Sequence, residues 1–382
     1  MKKIKLLYIL NIAKRVNNFS YTSMMAAQAC GIEFHIAGNW SYESDEERMA
    51  DEEKYGIKIY QVDFIRTPYH PGNRKAYAQL KEIVKREQFD IIHCNTPIGG
   101  ILGRMAAKKY KVPNVIYQVH GFHFYKGAPL LNHLIYYPIE KYFARNTDVL
   151  VTFNHEDFEL AKSKMKLRKG GKVCYVPGVG IDTSLFELTA SSRDEKREQL
   201  GIPKDSFVVI SVGELNANKN NGVIISAIGK MNNDNVHYVM CGTGEEGDKL
   251  KKQAKELGLQ DRVHFIGFRT DIGELYGASD CFVMSSKREG LSRSIMEAMS
   301  CGLPCVVSKI RGNVDLIEDG IGGFLCDIED SDVFAEKLSI LAEDAFLRTR
   351  MSENNLQTIK KFSVQTVIDG MKNIYLEMNE RM

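Results

Sequence analysis

Short apolar runs alternate with segments of helical period along the whole chain, and they fall into two separate series. The first series has strand candidates at 4–10, 33–37, 57–62, 90–94, 114–119, 149–153 and 172–176, with helical patterns clearest at 76–87 and 101–109. The second has strands at 207–212, 236–241, 263–266, 281–284, 304–307 and 323–326, with helices around 222–231, 245–257, 271–278, 292–300 and 331–343. This rhythm argues for parallel strands joined by crossover helices, in sheets covered on both faces. At 382 residues the chain is long for one core. Between the series, Pro177-Gly178-Val179-Gly180-Ile181-Asp182 leads to a polar stretch, 189–198, and then to Gly201-Ile202-Pro203, which reads as a linker. The expected architecture is α/β, with doubly wound domains at 1–182 and 183–361 and a tail of two helices over 346–380. Ligand is expected at the C-terminal ends of the strands, in a cleft between the domains.

Composition removes several classes. With 44% hydrophobic and 26% charged residues, the chain is neither disordered nor fibrous. No apolar run reaches the length of about 18 residues that a membrane span needs. The start, Met-Lys-Lys-Ile-Lys-Leu-Leu-Tyr-Ile-Leu, mimics a signal peptide, but Asn11 and Lys14-Arg15 interrupt it. It reads as a first strand, and the protein as cytoplasmic. The 8 cysteines sit mostly in or beside apolar runs, as reduced core thiols do, and Cys301 and Cys305 lack the partners a zinc site requires. The net charge of +2 hides an asymmetry: residues 1–182 hold 27 Lys+Arg against 18 Asp+Glu, leaving 24 against 31 for the rest. A basic first half suits an anionic membrane surface or a phosphate-bearing acceptor, ordinary solvated charge being the alternative. No nucleic-acid partner is expected.

The most informative stretch is 286–307, Ser-Lys-Arg-Glu-Gly-Leu-Ser-Arg-Ser-Ile-Met-Glu-Ala-Met-Ser-Cys-Gly-Leu-Pro-Cys-Val-Val. An apolar strand delivers Glu289 and Gly290 to a helix with apolar positions at Leu291, Ile295, Met296 and Met299, which stops at Gly302-Leu303-Pro304. The free N–H groups and positive dipole end of such a helix make an anion site at Gly290, Leu291 and Ser292. Glu297, further down, can accept hydrogen bonds from a sugar ring. A phosphate flanked by two polyols describes a nucleotide sugar. For two glutamates at this spacing the plain alternative is a solvated helix face.

Followed by Ala-Met-Ser-Cys-Gly-Leu-Pro, this Glu-x7-Glu arrangement resembles the donor-site signature of the family-4 retaining glycosyltransferases. The resemblance implies the GT-B fold, two Rossmann-like domains with a terminal helix, about 362–382, packed back on the first. The family's strand-end segment Gly-Arg-Leu-x-x-x-Lys-Gly is matched by Gly213-Glu214-Leu215-Asn216-Ala217-Asn218-Lys219, which puts Lys219 on the donor diphosphate, with Gly213 and Asn218 beside it. Glu214 departs from the pattern where the family has arginine; Arg288, Arg293 or Arg269 are the candidates to replace that charge. Gly242-Thr243-Gly244-Glu245-Glu246-Gly247 matches a dinucleotide fingerprint, but it follows the second strand of its domain and lacks the well-placed acidic partner. The resemblance makes Gly242 and Gly244 part of the donor site. The strand Arg262-Val263-His264-Phe265-Ile266-Gly267 is similar to the family's Val-x-Phe-x-Gly and would offer the backbone of Phe268 and Arg269 to a nucleobase. In the first half, Val119-His120-Gly121 resembles the family's strand-end histidine at the donor sugar, with His123 a competitor. The first turn, 11–20, lacks the family's glycine pair, as in some bacterial exopolysaccharide transferases, and Lys14 and Arg15 there could meet an acceptor phosphate or stay solvated. Asn95-Thr96-Pro97 is a further loop at a strand end. The aromatic stretch 130–143 suits core packing or a membrane surface.

The implied reaction is transfer of a hexose-type unit from a nucleotide sugar to a saccharide acceptor, itself lipid-linked by resemblance. Retention by front-face attack explains the lack of a carboxylate pair for double displacement. Lys219, Glu289 and His120 are the expected catalytic residues, and neither a metal ion nor a cofactor is expected. A sugar-nucleotide epimerase of the same fold, a non-catalytic nucleotide-sugar binder and an NAD-dependent oxidoreductase are the rival readings.

Overall fold

The computed structural model describes residues 3–16, 18–186 and 193–380. The chain forms two compact units, one of residues 1–180 with 364–382 and the other of 181–363. The backbone N–H of Ile181 donates to Phe362 O at 2.9 Å and Ile181 pairs with Ser363, which ties both ends of the second unit together.

The strands of the first unit are β1 (Lys5–Ile12), β2 (Glu33–Asn39), β3 (Lys58–Gln61), β4 (Ile91–Asn95), β5 (Asn114–Val119), β6 (Val149–Thr152) and β7 (Lys172–Tyr175). They form one 7-stranded sheet in the order β3-β2-β1-β4-β5-β6-β7, and every neighbouring pair is parallel. Alternate residues of β1 serve opposite faces. Leu7 and Ile9 pack with Leu80 and Ile83, while Leu6, Tyr8 and Leu10 pack with Val367, Met371, Ile374 and Met378 of the last helix, Val364–Glu380. Tyr375 of that helix lies 2.8 Å from His93 Nδ1 on β4.

The second unit contains β8 (Phe207–Val212), β9 (Val236–Cys241), β10 (Val263–Gly267), β11 (Cys281–Met284), β12 (Cys305–Ser308) and β13 (Gly323–Cys326). Its 6-stranded sheet runs β10-β9-β8-β11-β12-β13, again parallel throughout. Val209, Val283 and Val306 face one core; Val208, Ile210, Phe282 and Val307 face the other.

The expected linker needs correction. Of it, residues 187–192 lie outside the described residues, but Arg193–Gln199 is a helix fixed to the second unit. Arg197, buried, donates to Asp280 Oδ2 at 2.7 Å and to the carbonyls of Ala278, Lys204 and Ser206, and Arg193 takes Asp280 Oδ1 at 2.6 Å. A charged, polar segment thus became structure because its arginines satisfy a strand-start carboxylate and loose carbonyls.

Candidate active site

In each sheet the strand order reverses at one point, between β1 and β4 and between β8 and β11, and the loops leaving those adjacent strand ends run in opposite directions. The chemistry-bearing residues of each unit lie just past the C-terminal ends of its strands.

In the second unit the loops after β8 and β11 are stitched together. Ser285 Oγ donates to Asn220 O at 2.9 Å, the Lys287 N–H to Asn218 O at 2.8 Å, and Asn218 Nδ2 to Arg288 O at 3.0 Å. Across this seam Lys219 Nζ donates to Glu289 Oε1 at 2.8 Å, and both side chains keep part of their surface in solvent. Arg311, buried behind the turn, donates through Nε to the Glu289 carbonyl at 3.3 Å. The next residue, Gly312, has φ +80, and a Cβ there would lie 2.4 Å from Gly290 O. Sequence reading missed this support, because nothing in the pattern of 311–312 announces it. Ser292 caps the helix Arg293–Ser300, its Oγ accepting the Ile295 N–H at 3.5 Å. Glu297 is gripped from two sides, by Arg293 Nε at 2.8 Å and by the Tyr276 hydroxyl at 3.4 Å. The glutamates therefore do not form one solvated stripe: one points at a lysine across the loop seam and the other is held along the helix.

The glycine motif after β9 has a packing cause. Gly213 N–H donates to Cys241 O and Gly242 N–H to Gly267 O, so three strand ends are laced together. Gly242 has φ +149 and a Cβ on it would sit 1.9 Å from Gly213 O; one on Gly244 would sit 2.3 Å from Leu215 O. These glycines let two loops touch backbone to backbone, which removes the need for a dinucleotide to explain them. Gly213 likewise leaves room for the Lys219 stem, whose Cε would be 3.2 Å from an added Cβ. Phe268 stands exposed just beyond β10, and Arg269 is bound bidentately by Asp271.

The three arginines weighed against the missing cation now separate. Arg269 and Arg293 are taken by Asp271 and Glu297, whereas the exposed Arg288 side chain has no ion pair among the described residues. Glu214 is exposed and accepts from Asn216 Nδ2 at 3.0 Å.

In the first unit His120 stands just past β5. Its ring stacks on Phe19 at 5.2 Å, leans on Phe153 at 4.9 Å, and places Nε2 3.1 Å from Asn95 Oδ1. Burial lowers its pKa to about 4, so the imidazole is uncharged at neutral pH. His123, the competitor, stacks on Tyr136 at 4.6 Å instead. Arg15 is tied to Asp51 through Nε at 3.1 Å and Nη2 at 2.7 Å, which fixes the first turn rather than leaving this cation free. The turn after β4 is sharp: Thr96 has φ +62, and Gly99 N–H donates to Asn11 Oδ1 at 2.7 Å.

Comparison with known proteins agrees with this chemistry. A family model described as Glycosyl transferases group 1 matches residues 192–358, and one described as Glycosyl transferase 4-like matches residues 9–154. EpsD of Bacillus subtilis (strain 168), whose name assigns it as a glycosyltransferase, is 35% identical over 350 residues, 90% of this chain and 89% of that protein. The UDP-Gal:alpha-D-GlcNAc-diphosphoundecaprenol alpha-1,3-galactosyltransferase of Escherichia coli is 32% identical over 309 residues, 80% of this chain and 79% of that one. Among solved structures, Anabaena Alr3699/HepE in complex with UDP and glucose has a TM-score of 0.79 at 20% identity, covering 98% of this chain and 100% of that one. Sucrose-phosphate synthase from Thermosynechococcus elongatus reaches 0.81 at 17% identity, covering 100% of both chains. Two parallel α/β domains, a strand–turn–helix bearing Glu289 and Glu297, and relatives of this identity over most of their length have one reading: the chain belongs to the family-4 glycosyltransferases of the GT-B fold.

Proposed function

We propose that this enzyme moves a hexose-type sugar from a UDP-sugar to a lipid-linked saccharide, with retention at the anomeric carbon, in cell-surface polysaccharide synthesis. The observation that carries the reading is the Lys219–Glu289 pair at 2.8 Å, set at the switch point beside a Ser292-capped helix N-terminus. The name of the relative from Escherichia coli, which couples UDP-Gal to a diphosphoundecaprenol acceptor, supports the donor and acceptor classes.

In this reading the diphosphate leaves with its charge met by Lys219, by the N–H groups at Gly290, Leu291 and Ser292, and by Arg288 in place of the family's arginine. One departing oxygen takes the proton of the attacking hydroxyl, so the new bond forms on the face the old one leaves. Glu289 orients the sugar while modulating Lys219, Glu297 takes the ribose hydroxyls, and the backbone of Phe268 and Arg269 borders the base. Gly213, Asn218, Gly242 and Gly244 shape the floor. His120 accepts a hydrogen bond from a hydroxyl of the transferred sugar. No metal ion is assigned a part.

A UDP-sugar at about 100 times its Kd should stabilise the unit that binds it by about 2.7 kcal/mol, raising Tm by several degrees, while NAD and a GDP-sugar leave it in place. A response to NAD instead of UDP-sugar would sink the reading.

We further propose that the first unit works against the inner face of the cell membrane. No helix among the described residues is long and apolar enough to cross one. On the helix Leu130–Ala144, however, Leu130, Leu131 and Leu134 are more than 60% exposed. At the other end of that helix, a cavity of about 440 Å³ is lined by Tyr142 and Phe143 together with Tyr77, Lys108 and Lys109. Aromatic rings, leucines and lysines in that mix suit an anionic interface. The whole enzyme should sediment with vesicles containing phosphatidylglycerol at low salt, and replacing Lys108 and Lys109 with glutamate should release it. Equal sedimentation of that variant would dismiss the contact.

A further inference from the structure

Asn95 ends β4, and His120 follows the end of β5, its parallel neighbour, where Asn95 is in register with Gln118. The Asn95 side chain is fully buried and uses both its polar atoms. Nδ2 donates to Ile9 O of β1 at 3.4 Å, and Oδ1 lies 3.1 Å from His120 Nε2. Turning the amide over would set its oxygen against the Ile9 carbonyl, two acceptors face to face, so the amide has one orientation. An oxygen facing Nε2 requires that nitrogen to carry the proton, which leaves Nδ1 with its lone pair. Phe19 and Phe153 hold the ring in place, and the turn behind Asn95 is fixed by Asn11 and the left-handed Thr96.

We infer that Asn95 is a positioning residue that holds His120 in one tautomer, Nε2 protonated and Nδ1 accepting, so that the imidazole selects a donating hydroxyl of the transferred sugar. The inference rests on the role proposed above for His120. Among the described residues the titratable group facing His120 is His93 of β4, itself lowered to about 3 by burial and held at 2.8 Å by Tyr375, and the ring's hydrogen-bond and ring contacts are with Asn95, Phe19 and Phe153. With no carboxylate among those contacts, the acceptor form persists through the working pH range.

The test combines 15N NMR of the histidines, the His120 signal being the one lost in His120→Ala, with pH profiles of kcat/KM on the whole enzyme. The wild type should show the Nε2–H tautomer at neutral pH. Asn95→Leu should show mixed tautomers and turn over about tenfold more slowly, the worth of one oriented hydrogen bond. Asn95→Asp keeps an acceptor in place but adds a negative charge, which favours the imidazolium and raises its pKa by about one to three pH units. Activity should therefore fall at correspondingly higher pH on the acid side and approach the wild type above neutrality. An Nδ1–H tautomer in the wild type, or an acid limb that does not move in Asn95→Asp, overturns the inference. If His120→Ala turns over at the wild-type rate, the sugar-binding role of His120 fails and takes the inference with it. If His120→Ala is slow while the Asn95 variants match the wild type in tautomer and pH profile, only the inference about Asn95 fails.

Discussion

Lys219→Ala is expected to lower kcat by about 10²–10³-fold, a loss of about 2.7–4 kcal/mol of transition-state stabilisation, with a smaller change in KM. The size follows from where charge develops. A departing diphosphate gains negative charge as the glycosidic bond breaks, and the ammonium of Lys219 stands at the loop seam over a helix N-terminus, a position built before substrate arrives. Its neighbour sharpens the test. Glu289 Oε1, 2.8 Å away, holds the lysine ready but opposes it electrostatically until the diphosphate is present. Glu289→Gln keeps the shape and removes the charge, so it should slow turnover less than Lys219→Ala. The double variant should be no slower than the lysine variant alone, because residues that act as one unit do not contribute additively. UDP release with and without acceptor measures all three. A kcat within threefold of wild type in Lys219→Ala would remove the lysine from the mechanism.

How much of this the sequence discloses depends on whether the cause is local. The central strands are legible because they are buried on both faces, so that apolar runs such as 207–212 and 281–284 stand out against polar loops. The helix Asp45–Tyr55 is not read from apolar period, since its residues are mostly acidic; yet its signal was present, a capping box of Ser44 and Glu47. The motif around Glu289 is legible because strand, turn and helix follow one another directly. Its contact with Lys219, 70 residues away, follows from strand order; resemblance put both residues at the donor site without disclosing that they touch. The same holds for Asn95 and His120, 25 residues apart, whose meeting depends on the β4–β5 register. Arg197 and Arg104 were legible only as surface charge, because sequence gives no sign that a buried partner is waiting.

Arg104 leads to the second large effect: Glu140→Ala should destabilise the first unit by about 3–5 kcal/mol. Arg104 is fully buried on the helix Pro97–Tyr110, where Nη2 donates to Glu140 Oε2 at 2.8 Å and Nε to Gly100 O at 2.8 Å. Glu140 Oε1 also accepts the Tyr117 hydroxyl at 2.7 Å, and the guanidinium lies 3.8 Å from the centre of the Tyr117 ring. Burial pushes the Tyr117 phenol well above its ordinary pKa, which keeps it a donor. Removing the carboxylate strands a charge in the core and breaks the one hydrogen bond that joins β5 to the aromatic helix Leu130–Ala144 through this network. The Tyr117 ring has little freedom to compensate, since it already lies where a Cβ on Gly100 would come within 2.3 Å. Replacing both charges, Arg104→Met with Glu140→Leu, should recover the share of the loss due to the stranded charge, because apolar groups of similar volume need no desolvation to be repaid. What remains is the cost of about 1–3 kcal/mol for a Tyr117 hydroxyl without its acceptor. In calorimetry the single variant should melt roughly 10 °C lower and the double within a few degrees of wild type. If the single variant melts with the wild type, the network does not anchor the helix; if the double falls as far as the single, lost packing rather than the stranded charge is the cause.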